Sequence, residues 1–308
     1  MKILVTGGAG FIGSHLVDSL VEKGHELVVV DNLSTGKREN VNKKATLYEV
    51  DISSERIEEI FKKEKPEVVF HFAAQIDVRK SVEDPKSSAE TNILGSVNIL
   101  ESIKKYCSKE TKVVFASTGG AIYGDASITP TPESYKEEPL SPYGIEKLTV
   151  DKYLNYYHLN FGTPYISLRL GNIYGPRQNP HGEAGVVAIF ANKMINREQV
   201  VVNGDGKNTR DFVFVDDVVE ASILAMETKK SGVYNIGTGK ETDVNAIFHN
   251  LKININEKAQ ESYGPAKAGE QKRSCLDATK AEEELRWKAK TGVEEGIRVT
   301  ADWFKKNN

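Results

Sequence analysis

Cysteine is nearly absent from this chain: two in 308 residues, Cys107 and Cys275. That count leaves no disulfide framework and fits work in a reducing compartment. Long apolar runs are missing too, and none approaches the length of a membrane span. The apolar run after Lys2 is broken at once by Thr6, Gly7 and Gly8, with no small-residue cleavage site behind it. A signal peptide is therefore not read, and the cytoplasm is expected. Neither sign of charge is in excess, with 41 Lys and Arg against 44 Asp and Glu spread along the chain. No basic stripe offers itself to nucleic acid. An anionic partner must be held by a few placed cations and backbone donors. The six histidines, His71 and His181 among them, lack metal-ligand spacing, and no metal site is read.

What is present is an ordinary enzyme-like balance, 39% hydrophobic and 28% charged, ample for a sizeable core. The first half alternates short β-branched runs with helical patterns, as a parallel sheet wrapped by helices requires. Strands are expected at Lys2–Thr6, Glu26–Asp31, Thr46–Asp51, Glu67–Phe72, Thr111–Ser117 and Tyr165–Leu170, each a near-continuous apolar run suited to burial on both faces. Helices are expected at 11–23, 54–64, 87–106 and 143–161, where apolar positions recur every three or four residues. After about residue 170, loops rich in Gly, Pro and Asn take over, and Gly232–Gly239 reads as one more strand returning to the sheet. The expected organisation is an α/β, Rossmann-type doubly wound parallel sheet with a smaller, discontinuous C-terminal part. Residues 1–170 plus about 211–239 would form the dinucleotide-binding domain, and about 171–210 with 240–308 the substrate domain.

Between the first strand and helix lies Thr6-Gly7-Gly8-Ala9-Gly10-Phe11-Ile12-Gly13. Gly7 permits a tight turn, Gly10 lets the backbone approach a pyrophosphate, and Gly13 allows helix to pack closely on strand. Amides at the helix start then face the phosphates. The second strand ends at Asp31, placed to accept hydrogen bonds from the adenosine ribose hydroxyls. An acid there repels a 2′-phosphate, so NAD is favoured over NADP.

Tyr143-Gly144-Ile145-Glu146-Lys147 places a phenol and an ammonium four residues apart near a helix start, hence on one face. A free phenol has a pKa of about 10 and is a poor base at neutrality. A neighbouring cation, joined by a positive nicotinamide, favours phenolate and moves the group towards working pH. Lys147 is also placed to hold the nicotinamide ribose. Such a pair performs general-base chemistry at a hydroxyl carbon facing a hydride acceptor. Tyr153, Tyr156 and Tyr157 on the same helix read as packing residues.

The glycine spacing, with Ser141-Pro142 ahead of the Tyr/Lys pair, resembles the extended branch of the short-chain dehydrogenase/reductase superfamily. Within it, Asp31-Asn32-Leu33-Ser34-Thr35-Gly36 is similar to the loop of UDP-glucose 4-epimerases, Asp51-Ile52 to their adenine-edge pair, and Phe72-Ala73-Ala74 to their pyrophosphate-side strand end. The resemblance also implies cofactor contacts at Phe11, Ile12 and Asn92. It implies a reacting hydroxyl just after the fifth strand. Counting forward along Phe115-Ala116-Ser117-Thr118-Gly119-Gly120 selects Thr118, with Ser117 second; counting back from Tyr123 falls on Gly119. Related 4,6-dehydratases carry an Asp-Glu pair here and UDP-glucuronate decarboxylases a Glu. Gly119 and Gly120 supply neither, which disfavours elimination.

On the substrate side, the resemblance implies diphosphate contacts at Asn172 and Arg210, and further nucleotide-sugar contacts at Val187, Asn203, Lys267, Glu270, Arg273 and Ser274. Glu270 would bind the uridine ribose. Lys267 stands where relatives usually carry Arg, so it keeps the charge without the bidentate fork, and either phosphate binding is weaker or Arg273 substitutes. Asn203 stands where an aromatic beside the uracil is common. Ser274 takes the gatekeeper place against the sugar C2 substituent, where a small residue leaves room for N-acetyl sugars. The implied activity is interconversion of UDP-glucose and UDP-galactose through a 4-keto sugar with bound NAD, in a homodimer formed by helices 87–106 and 143–161. A UDP-glucuronate epimerase or decarboxylase is the nearest rival. A non-catalytic NAD-binding regulator is the rival from another class.

Overall fold

The computed structural model describes residues 1–181, 185–266 and 271–307. Seven strands form one parallel sheet: β1 (Lys2–Thr6), β2 (Glu26–Asp31), β3 (Thr46–Glu49), β4 (Val68–His71), β5 (Lys112–Thr118), β6 (Tyr165–Leu170) and β7 (Gly232–Ile236). Their order is β7-β6-β5-β4-β1-β2-β3. Register is direct, with Ile3 opposite Leu27 on one side and Val68 on the other. The strand order reverses between β1 and β4, so the crevice beyond their carboxyl ends is where an α/β sheet of this kind takes a ligand.

Helices cover both faces, because each strand alternates its apolar side chains across the sheet. Ile3 and Val5 join one apolar cluster with Leu16, Val17 and Leu20 of α1 (Phe11–Glu22). Leu4 joins the other, with Ile57 and Phe61 of α2 (Arg56–Glu64), Ile99 and Ile103 of α3 (Gly95–Tyr106), and Val150 and Leu154 of α4 (Pro142–Phe161). A third cluster lies in the C-terminal part. It gathers Tyr174, Phe212 and Phe214 with α5 (Val186–Ile195), α7 (Val244–Ile255) and α9 (Val293–Asn307).

Two expectations differ from the structure. The helix expected at 87–106 forms without a break from Pro85 to Tyr106, but Glu90–Leu94 within it is a π-helical turn that the expectation lacks, and α3 follows it from Gly95. A π turn confined to five residues is too short to show a period of its own in the sequence. The segment from 240 onward also does not stay in the C-terminal part. Ala281 and Leu285 of α8 (Thr279–Leu285), with Trp287, pack into the first sheet cluster beside α6 (Val215–Glu227). Trp287 Nε1 donates to the Asp217 carbonyl at 2.8 Å, which fixes this return.

Candidate active site

The glycine turn leaves no room for side chains. Gly7 is left-handed at φ 72°, and a Cβ there would lie 2.7 Å from the Ala73 amide nitrogen. At Gly13 a Cβ would lie 2.2 Å from the Gly7 carbonyl oxygen. Gly10 caps α1 in an extended conformation and without a side-chain hydrogen bond, so no capping oxygen occupies the space in front of the helix. First-turn amides of an uncapped helix are an anion site. Asp31 ties the turn to β2: it accepts from Ala9 N at 3.0 Å and Leu33 N at 2.9 Å. Each carboxylate oxygen retains a lone pair, so this structural duty leaves acceptor capacity for ribose hydroxyls. Gly36 lies against the same carboxylate, 2.9 Å from Asp31 Oδ1 to a Cβ placed on it. Ser34 and Thr35 beside it are exposed. Asn32 donates to Asp51 Oδ2 at 2.7 Å, and Ser53 donates to Oδ1 through its amide and hydroxyl. Burial works against ionisation of Asp51, but these hydrogen bonds outweigh it and hold the carboxyl below its ordinary range. Ile52 is buried and Gly95 packs on it. Phe72 N and Ala73 N both donate to Thr6 Oγ1 at 3.2 Å, which brings the end of β4 against the turn. The cradle, the uncapped helix and the acid at the end of β2 together fit NAD.

α4 begins at Ser141, whose hydroxyl accepts from Gly144 N at 3.2 Å, with Pro142 in the first turn. It therefore presents Tyr143 one residue inside a fixed start. Its inner face carries three buried charged side chains, Glu146, Lys147 and Asp151, an arrangement that packing alone does not favour. Lys147 Nζ lies 5.9 Å from the Tyr143 ring centroid and 4.6 Å from that of Phe115, and donates to the Ala116 carbonyl at 2.8 Å. Burial pushes the lysine down to about 8, opposed by Asp151 and Glu146, so it remains largely cationic at neutrality. The phenol goes the other way from the expectation. Burial, and then the nearby Glu146 charge, push Tyr143 above its ordinary value. In the chain alone Tyr143 is a protonated phenol, and Lys147 does not by itself make it a base.

The strand alternation separates Ser117 from Thr118. Ser117 is buried beside the Asp151 carboxylate, inside a network in which Arg169 Nε donates to Asp151 at 3.0 Å and Ser167 donates to it at 2.5 Å. Thr118 is half-buried at the end of β5. A Cβ built on Gly120 would lie 3.9 Å from Thr118 Oγ1 and 3.8 Å from Asn172 Oδ1, so these three positions meet around one open space. Gly119 faces the reverse condition, because a Cβ there would lie 2.4 Å from Leu276 Cδ1. A side chain at 119 would have to displace the Leu276 methyls.

The substrate-side residues gather less uniformly. Asn172 and Arg210 flank Asp211, and Asn172 N donates to the Asp211 carbonyl at 2.7 Å. That bond joins the short strands Asn172–Tyr174 and Phe212–Phe214 at their start. The Asp211 carboxylate accepts from Thr238 N at 2.8 Å, Gly239 N at 3.2 Å and Leu276 N at 3.1 Å, so its charge is spent on those groups. Arg210 Nη1 donates to the Thr209 carbonyl at 2.8 Å. Arg273 is paired with Glu241, Nε to Oε1 at 2.9 Å, and Ser274 is buried behind it with its amide on the Thr209 carbonyl. Asn203 ends the strand Val200–Asn203, half-buried. Val187 departs from the expectation: its side chain is 1% exposed and packs within the C-terminal apolar cluster. Phe11 and Ile12 are half-buried against that same cluster. Lys267 and Glu270 lie outside the described residues.

Sequence reasoning passed over Glu146, Asp151, Arg169 and His71. His71 spans Thr6 Oγ1 and Ser96 Oγ, each at 2.8 Å, and burial with the nearby Lys147 charge pushes it down to about 3. A signal for the first two existed, since acids on the apolar stripe of a helix are rarely idle. Asn92 is also differently engaged than expected. Its amide bonds Gln75 and Glu146, behind the end of β4.

A doubly wound sheet with a phosphate cradle, an acid at the end of β2 and a half-buried tyrosine beside a buried lysine defines a nicotinamide-dependent enzyme. The sequence matches the model of the NAD dependent epimerase/dehydratase family over residues 3–237, and the chain belongs to that family. It is 39% identical to the UDP-glucose 4-epimerase of Mycolicibacterium smegmatis, over 99% of both chains. The crystal structure of UDP-glucose 4-epimerase from Thermotoga maritima, with UDP-glucose, is 50% identical and superposes with a TM-score of 0.97 over 100% of this chain and 99% of that one. The Thermus thermophilus UDP-glucose 4-epimerase complex with NAD is 42% identical, with a TM-score of 0.94 over 99% of each chain. Among the described residues no group of His, Cys, Asp and Glu is arranged to hold a metal ion.

Proposed function

We propose that this protein is a UDP-glucose 4-epimerase, and that the observation carrying the reading is the half-buried phenol of Tyr143 with the buried Lys147 Nζ 5.9 Å from its ring centroid. NAD, when bound, supplies the hydride acceptor at the sugar C4 and the positive charge that brings the Tyr143 phenol towards ionisation. Tyr143 takes the proton from the C4 hydroxyl and later returns it to the opposite face. Thr118 hydrogen-bonds the same oxygen. Lys147, locked on the Ala116 carbonyl, keeps a fixed positive charge beside the phenol. Asn172 and Arg210 hold the diphosphate, so that binding energy sits on the nucleotide side and the 4-keto sugar is free to turn between the two hydride transfers. No net oxidation occurs, and the dinucleotide stays with the protein.

Gly119 and Gly120 carry no acid, which favours epimerisation over elimination or decarboxylation, since these need an acid in that stretch. Ser274, small and buried, supports acceptance of N-acetyl sugars as well. Two further readings go with the function. A homodimer is supported by exposed apolar side chains on and beside α4 and its π-helical neighbour: Leu94, Ile145, Tyr156 and Leu159. A cytoplasmic location is supported by the two free thiols, Cys107 and Cys275. Among the described residues no helix is long and apolar enough to cross a membrane. The test is to incubate the purified protein with UDP-galactose, UDP-N-acetylgalactosamine and UDP-glucuronate separately, without added NAD. UDP-glucose from the first is the expected product; carbon dioxide from the third, without it, contradicts the reading.

A further inference from the structure

Glu146 has no part in the chemistry above, yet it is 3% exposed on the inner face of the catalytic helix. Its Oε2 accepts from the Ser88 hydroxyl at 2.8 Å and from the Asn92 amide at 2.6 Å. The same Asn92 amide donates to the Gln75 carbonyl at 2.8 Å, and Asn92 Oδ1 accepts the Gln75 N–H at 2.8 Å. Gln75 closes the ring by donating its Nε2 to Ser88 Oγ at 3.2 Å. The ring joins three places: the loop leaving β4, directly after Phe72-Ala73-Ala74; the Pro85–Ala89 helix with its π turn; and α4. Asn92 lies within the π turn Glu90–Leu94, so the irregularity in the helix sits at one member of the ring.

A neutral amide at 146 could accept both hydrogen bonds without the cost of burying a charge. The carboxylate is nonetheless there, and its second oxygen, Oε1, is buried without a hydrogen-bond partner. An uncompensated acceptor of this kind is expensive unless its field has a use. We propose that Glu146 is a positioning residue: its ring clamps the loop leaving β4 to the catalytic helix, and its charge sets the pH range over which Tyr143 and Lys147 work. The proposal rests on the roles given to those two residues above.

Other charges near the phenol do not substitute for it. His71 on β4 stays neutral in the working range. Asp151 on α4 is ion-paired with Arg169 at 3.0 Å. Arg79, Lys80 and Glu83 on the helix Val78–Glu83, and Lys86 and Glu90 beyond it, are exposed and screened by water. On α3, Glu101 and Lys104 pair with each other at 2.6 Å. Glu146 is thus the buried anion that opposes ionisation of Tyr143, and it joins Asp151 in supporting the cation on Lys147. The sign follows directly. Without its charge the phenol ionises at lower pH and the ammonium deprotonates at lower pH, so both limbs of a bell-shaped profile move in the same direction.

The experiment compares Glu146→Gln, which keeps the acceptor but not the charge, with Glu146→Ala, which opens the ring. Tyr143 ionisation is read from phenolate absorbance of the NAD-loaded protein, with Tyr143→Phe as the blank. Retention of NAD through gel filtration and the pH profile of UDP-galactose conversion are read alongside. In Glu146→Gln the phenolate titration and both limbs of the profile move down by about one pH unit while NAD is retained. In Glu146→Ala NAD retention falls several-fold. A titration in Glu146→Gln that stays in place or moves up overturns the charge role, and full NAD retention in Glu146→Ala overturns the clamp. Should Glu146→Ala fail to fold, Glu146→Gln still decides the charge role, and Ser88→Ala, which removes two hydrogen bonds of the ring, decides the clamp by the same loss or full retention of NAD. If the parent does not convert UDP-galactose, the functional reading fails, whereas the phenolate titration still tests Glu146 on its own.

Discussion

Tyr143 sits in surroundings that, in the chain alone, oppose its own ionisation. Burial and Glu146 hold the phenol protonated, and the lysine beside it is itself lowered by burial to about 8. The base therefore exists only once a further positive charge arrives, which couples proton abstraction to cofactor occupancy. Tyr143→Phe should lower turnover about a thousandfold, within the range of general acid–base catalysis, while NAD remains bound; steady-state assays and NAD quantitation check both parts. Thr118→Ala should slow turnover more than Ser117→Ala does, because the Ser117 hydroxyl faces Asp151 and not the open space near Gly120. His71 gives a pH dependence of stability. Its folded value of about 3 lies below the ordinary histidine value of 6.5, so the neutral form is the one the fold accepts. Its contribution is complete above pH 6.5 and is lost as pH falls towards 3. Thermal melting of His71→Asn should therefore lie below the parent at pH 7 and approach it as the pH is lowered through that window.

At the scale of elements, the strands were legible because burial on both faces demands unbroken β-branched runs, and Lys2–Thr6, Glu26–Asp31 and Tyr165–Leu170 form as expected. The glycine turn was legible for a steric reason: no side chain fits at Gly7 or Gly13. Gly13→Ala should cost NAD binding outright, as measured by retention of the dinucleotide, since its methyl would lie 2.2 Å from a backbone oxygen that cannot swing aside. The π turn at Glu90–Leu94 was not legible, because five residues are too few to show a period of their own. Nor was the work of Lys112, whose buried ammonium donates to the carbonyls of Ala225 at 3.3 Å and Met226 at 3.0 Å, with Thr228 as a third partner. These are the orphan carbonyls at the end of α6. Lys112→Met should destabilise the protein by about 1–3 kcal/mol, seen as a lower denaturation midpoint.

For the whole molecule, two apolar clusters cover the faces of the sheet and a third gathers the C-terminal helices. Loop-rich sequence after residue 170 hid the return of α8 and Trp287 to the sheet, because a single indole anchored on Asp217 carries no periodic signal. The glycine turn and the acid at the end of β2 were legible on the cofactor side, since a steric limit and a strand end fix them locally. The substrate side was read through resemblance, and there Val187 proved to be a core residue. The most direct measurement of the central claim, hydride removal and return at one carbon by a protein that keeps its own NAD, is the fate of an isotope. UDP-galactose labelled with deuterium at C4 should give UDP-glucose that keeps the deuterium at C4 when the reaction runs in ordinary water. Loss of that label to solvent would contradict the account.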